Sequence, residues 1–236
     1  MILPNSYLKK PFTTDYNELN IFSKFAIAVF WLLAFTSFSG FIVKIIESIY
    51  SYYDLNISLH IFNKHAYEII NKYGYTNTLF YIIIIGPLIE ELIFRLPLSF
   101  TRRSVIISSS TIVYVILHSI VNLYFDDSPI YGNLPLISFI ITYVLLDNSN
   151  KTTKLIEKLK FSYSTLIIYS SSILFALVHL TNLDSYSFNE LPIYIIAILS
   201  YTSMGLIFSF VRIHISFFAS ALLHSLWNGF VFMMLS

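Results

Sequence analysis

Residues 82–98 read IIIIGPLIEELIFRLPL, placing Glu90, Glu91 and Arg95 inside an otherwise apolar run. Whether water or hydrocarbon surrounds that run decides the fold. The chain of 236 residues is 56% hydrophobic and only 11% charged, against about 25% charged in an ordinary soluble domain. Its mean hydropathy is +0.72. Several windows reach the roughly 20 apolar residues that cross a hydrocarbon core. The fold class expected is therefore all-α, a polytopic transmembrane helical bundle of about seven spans (range six to eight). Residues 1–236 read as one membrane domain without internal repeats.

The segments are 25–46, 79–100, 104–125, 130–146, 163–182, 191–211 and 214–235. Residues 50–78 form a connector polar enough for an interfacial helix, and 147–161 reads as a basic loop. Residues 1–23 are polar and irregular, and the long first apolar run lacks the small-residue cleavage site of a signal peptide. With the N-terminus inside, ten basic residues fall on the inner side: Lys9, Lys10, Lys24, Arg102, Arg103, Lys151, Lys154, Lys158, Lys160 and Arg212. Only Lys44, Lys64 and Lys72 fall outside, where Asp126, Asp127, Asp184 and Glu190 also lie. The positive-inside rule then predicts a cytoplasmic N-terminus and an external C-terminus. A net charge of +1 gives no sign of nucleic-acid binding, and the absence of cysteine excludes disulfide and thiolate chemistry.

Span 79–100 is costly to insert. Its fourteen Leu, Ile and Phe supply about 6 kcal/mol on insertion scales. Its three charges cost about 8–10 kcal/mol on the same scales. The charges must therefore point into the bundle. Glu91 and Arg95 are spaced i, i+4 and pair along one face. Glu90 lies about 100° around the helix and is left chemically available. Gly86-Pro87, one turn earlier, allows a kink and frees backbone carbonyls beside the same site.

Three histidines fall inside spans: His118, His179 and His224. Asn228 shares a helix face with His224, and Phe175 lies one turn before His179. Ionisable groups inside a membrane are candidate functional groups. A carboxylate, imidazoles, an amide and an arginine together suit activation of a water and stabilisation of an oxyanion. Glu90, His179 and His224 are equally a donor set for a divalent metal with an open position. His60, His65 and His214, in the connector and at a span end, receive no role.

These motifs resemble those of the CAAX prenyl protease 2 family, within the CPBP group of intramembrane proteases that includes the Abi-type members. Its pattern E-E-x-x-x-R, F-x-x-x-H, H-x-x-x-N appears as "EELIFR" (Glu90 to Arg95), "FALVH" (Phe175 to His179) and "HSLWN" (His224 to Asn228). The resemblance covers about residues 80–235. It departs in the long gap before "FALVH", within which His118 closes "YVILH" and opens a second H-x-x-x-N with Asn122. His179 is preferred because its motif has the expected Phe and a 45-residue distance to His224.

The resemblance implies an intramembrane endopeptidase acting on membrane-associated peptides or proteins, prenylated or otherwise anchored in the lipid bilayer. Glu90 and His179 would polarise a water, His224 and Asn228 would donate to the oxyanion, and Glu91 with Arg95 would fix the helix. Arg95 would also be free to face the substrate's carboxylate or backbone. The cofactor expected is either a divalent metal such as zinc or none. The Tyr-, Ile- and Asn-rich composition points to a bacterial cytoplasmic membrane. The contrasting class is non-enzymatic: a bacteriocin-immunity or scaffold pseudo-protease, or a transporter, using the same buried charges. A transporter should carry paired broken helices in two related halves, and only one Gly-Pro interruption is present.

Overall fold

A computed structural model describes residues 18–52, 70–71, 73–124, 132–180 and 188–235. The elements there are helical throughout, as expected of a chain with no water available to unpaired backbone. The helices are α1 (Ile21–Tyr52), α2 (Tyr75–Phe94), α3 (Arg102–Tyr124), α4 (Leu134–Asp147), α5 (Asn150–Leu180), α6 (Leu191–His214) and α7 (Phe217–Leu235). Six of them are long and apolar enough to cross a membrane. The exception is α4, whose 14 residues span about 21 Å against a hydrocarbon core of about 30 Å. Most of the connector 50–78 lies outside the described residues, so its expected interfacial helix does too.

The expected basic loop at 147–161 is corrected. Asp147 ends α4, only Asn148 and Ser149 intervene, and residues 150–161 form the first three turns of α5. NKTTKLIEKLKF contains neither Gly nor Pro and has four Lys and two Leu, which favour helix. Ile156 is buried within it, so the segment is an amphipathic extension of the span.

Consecutive helices alternate in direction. At one end of the bundle Lys24, at the start of α1, donates to the carbonyl of His214, the last residue of α6 (3.4 Å). Arg102, opening α3, lies against Asp147 at the close of α4 (Nε–Oδ1 3.9 Å). Arg212 Nε, near the end of α6, donates to the Arg95 carbonyl at the end of α2 (3.2 Å). The short turns joining α4 to α5 and α6 to α7 lie at these same helix ends, so α5 and α7 also start there.

The core is organised around the second half of α6. Met204, Ile207, Phe208, Phe210 and Val211 pack with Ala28 and Leu32 of α1, Phe175 of α5, and Leu223 and Trp227 of α7. Outward faces are apolar as well, with Phe38 and Phe41 on α1, Leu174 on α5 and Leu226 on α7 exposed. In water such a surface would aggregate; in a bilayer it is the lipid-facing wall.

Gly205 sets a close approach of α6 to α5. A Cβ there would meet Ser172 Cα and Cβ at 3.0 Å and Arg95 Nη2 at 3.1 Å. Small residues allow such backbone approach in membrane bundles. Gly205→Ala must push α5 away from α6, since the obstacle is backbone as well as side chain. The expected loss is about 1–3 kcal/mol, the usual cost of overpacking. Denaturant or thermal unfolding in detergent measures it, and wild-type stability would show that the two helices are not locked at this point.

Candidate active site

The interruption in α2 builds the site. Residues Tyr81–Ile85 are π-helical, and Gly86 N–H bonds the Tyr81 carbonyl, five residues back. In that register the next donor, to the Ile82 carbonyl, would be Pro87, which has no N–H. Asn228 of α7 fills the place, its Nδ2 donating to the Ile82 oxygen at 3.2 Å. The carbonyl that Gly86-Pro87 was expected to free is thus taken by a motif residue. One amide N–H of Asn228 is committed to holding α7 against α2.

The other end of α2 is tied in the same way. Pro97 cannot donate to the Ile93 carbonyl, which accepts from Ser108 Oγ of α3 (2.9 Å). Leu98 N–H turns instead to the Arg95 carbonyl (3.1 Å) in the 3-10 turn Leu96–Ser99. The Phe94 carbonyl is left to Ser171 Oγ of α5 (2.6 Å). Counting Arg212 and Asn228, side chains from α3, α5, α6 and α7 each occupy a carbonyl of α2 at a proline interruption or its adjoining helix end. Sequence reasoning missed Ser108, Ser171 and Arg212 as partners. The only signal was the prolines, whose positions say which carbonyls are freed but not who takes them.

The two glutamates separate sharply. Glu91 is fully buried, with Arg95 Nε at 3.8 Å from Oε1. Ser220 Oγ donates to its Oε2 at 2.6 Å. His224 Nδ1 lies 3.2 Å from Oε1. Ser220, one turn before His224 on α7, was also unforeseen, because nothing in its sequence context distinguishes it from other serines. Arg95 is itself fully buried and lies over the rings of Phe175 (4.1 Å), Phe94 (5.6 Å) and Phe208 (5.7 Å). Enclosed in this way, its guanidinium has no exposed surface.

Glu90 keeps 26% of its side chain exposed and points at two imidazoles. Its Oε2 is 3.5 Å from His224 Nε2 and 3.8 Å from His179 Nε2. Both rings are held through their other nitrogen. His179 Nδ1 lies 2.9 Å from the Phe175 carbonyl, which only accepts, so Nδ1 carries the proton. His224 Nδ1 is held by the Glu91 carboxylate. Second-group hydrogen bonds of this kind fix which nitrogen is presented to the chemistry. His179 also packs on Phe175 and on Tyr201, each with ring centroids at 4.4 Å. His224 stacks on Phe208 at 4.5 Å.

Glu90, Glu91, Arg95, His179, His224 and Asn228 therefore assemble in one place, on α2, α5 and α7. His118 does not join them. It lies exposed on α3, bonded to Asn122 (3.2 Å) and stacked on Tyr114. Among the described residues no group of three or more His, Cys, Asp or Glu side chains is arranged to hold a metal ion. The trio Glu90, His179 and His224 is not such a group in this arrangement.

No curated protein and no solved structure matches the chain significantly. A family profile does, that of the Type II CAAX prenyl endopeptidase Rce1-like proteins, over residues 73–230. The match spans α2 to α7 and thus every helix that contributes to the carboxylate–imidazole cluster. This membrane-embedded chain belongs to the Rce1-like family of Type II CAAX prenyl endopeptidases.

Proposed function

We propose that this protein hydrolyses peptide bonds of membrane-associated substrates by a glutamate-activated water. The observation that carries this is the position of Glu90 Oε2 opposite two imidazole Nε2 atoms, each ring pinned through Nδ1. Glu90 accepts one proton from the water, whose other O–H donates to His179 Nε2, as the water oxygen adds to the peptide carbonyl. The oxyanion that forms accepts a hydrogen bond from the N–H of Asn228 not given to Ile82 and, in the form of the His224 ring that carries a proton on both nitrogens, a second from its Nε2–H. Glu90 then delivers the proton to the leaving amine, and the peptide bond breaks. Glu91, Arg95 and Ser220 position the helices and the His224 ring and touch no substrate. The substrate is a peptide held at the bilayer, prenylated or otherwise anchored.

The membrane is read as a bacterial cytoplasmic membrane. Its cytoplasmic side is taken to face the bundle end that gathers Lys24, Arg102, Arg103 and Arg212. That orientation puts the N-terminus inside and the C-terminus outside.

The test is peptide cleavage in nanodiscs, read by mass spectrometry, with prenylated and membrane-anchored peptides, with and without chelator. Wild type and His118→Ala are expected to cleave alike, whereas His179→Ala loses on the order of 10²-fold or more. Cleavage kept in His179→Ala and lost in His118→Ala would overturn the assignment. Activity that survives the chelator supports glutamate chemistry, and activity that a chelator removes and zinc restores points to a metal. A folded wild type that cleaves nothing in the pool would favour a binding protein on a protease scaffold.

A further inference from the structure

Tyr201 lies on α6, a core helix that supplies no residue to the three motifs. Its ring packs on His179 with centroids 4.4 Å apart and planes inclined by 30°. The imidazole it packs on is the one whose Nε2 lies 3.8 Å from Glu90 Oε2, so Tyr201 borders the site through His179. Yet the hydroxyl makes no hydrogen bond to the described residues, whereas Tyr194, two turns earlier on the same helix, bonds Glu190. A phenol hydroxyl within an apolar bundle ordinarily finds a partner.

The other donors around Glu90 are largely committed. Asn228 spends one N–H on Ile82, and His224 spends Nδ1–H on Glu91. An oxyanion formed at this place needs donors already aimed at it. A group that comes to this place with an acceptor to satisfy is the carbonyl oxygen of the substrate.

We propose that Tyr201 is a further catalytic residue of this site, its hydroxyl donating to the carbonyl oxygen of the scissile peptide as that oxygen becomes an oxyanion. The proposal rests on the protease reading above. The aromatic ring, held by its contact with His179, places the donor. No covalent bond is made to the tyrosine, and it loses no proton over the cycle.

The experiment compares wild type, Tyr201→Phe and Glu90→Gln as full-length proteins in nanodiscs, on a membrane-anchored peptide that wild type cleaves. Tyr201→Phe keeps the ring on His179 and removes only the hydroxyl, so a purely packing role predicts no change. Loss of one oxyanion donor typically costs on the order of 10²-fold in kcat. The result expected is a fall in kcat of about tenfold to a hundredfold with KM and Tm unchanged. A Tyr201→Phe protein with wild-type kcat would overturn the proposal alone, as would a rise in KM with kcat unchanged. Glu90→Gln cleaving as well as wild type would overturn the underlying protease reading, and this proposal with it.

Discussion

Glu90→Gln is expected to abolish peptide cleavage while leaving the amount of folded protein and its Tm unchanged. The substitution preserves shape and removes only the capacity to take a proton. General acid–base groups contribute about 10²–10⁴-fold, and loss toward the upper end is expected where one carboxylate serves both half-reactions. Stability is spared because Glu90 is part-exposed and none of its contacts closer than 3.5 Å ties one helix to another. The comparison that matters is cleavage rate against unfolding midpoint for the same preparation. Wild-type cleavage by Glu90→Gln would remove Glu90 as the base. Loss of fold together with activity would make it a structural residue.

Its neighbour should behave in the opposite way. Glu91→Ala and Arg95→Ala are each expected to cost about 3–5 kcal/mol, because each leaves a buried charge without its partner. Against a total stability of about 5–15 kcal/mol, that is enough to lower folded yield several-fold or more. Arg95→Ala also empties the space among Phe94, Phe175 and Phe208. Glu91→Ala releases Ser220 and His224 together.

The double variant Glu91→Leu/Arg95→Met separates stability from catalysis. It leaves no unpaired charge, so it should fold better than either single variant. It should remain inactive, because His224 Nδ1 has lost the carboxylate that aims the ring. Yield and Tm of the three proteins measure the first effect, and cleavage measures the second. Single variants as stable as wild type would mean that the buried pair holds nothing together.

The sequence by itself determined that the chain is a helical membrane bundle, because the cost of unpaired backbone in lipid leaves helices as the way to use such long apolar runs. It also separated Glu90 from Glu91. A turn of 100° per residue sends adjacent side chains to different faces, and only Glu91 stands one turn from Arg95. His179 and His224 were legible through their motifs. The start of α5 was not, since a run of lysines reads as loop until the burial of Ile156 reveals its other face.

Only the tertiary structure decided what surrounds those groups. The local sequence places Pro87 and Pro97 and so names the carbonyls that lose their donors, but the replacements come from Asn228 and Ser108 on other helices. The same holds for Ser220 on Glu91 and Tyr201 on His179, more than a hundred and about twenty residues away along the chain. Periodicity along one helix fixes which residues share a face. The neighbour that face meets depends on how α5, α6 and α7 pack, which turns on contacts such as that of Gly205 of α6 with Ser172 of α5. Arg95 makes the difference plain: its pairing with Glu91 was local and readable, and its enclosure by three phenylalanines was not.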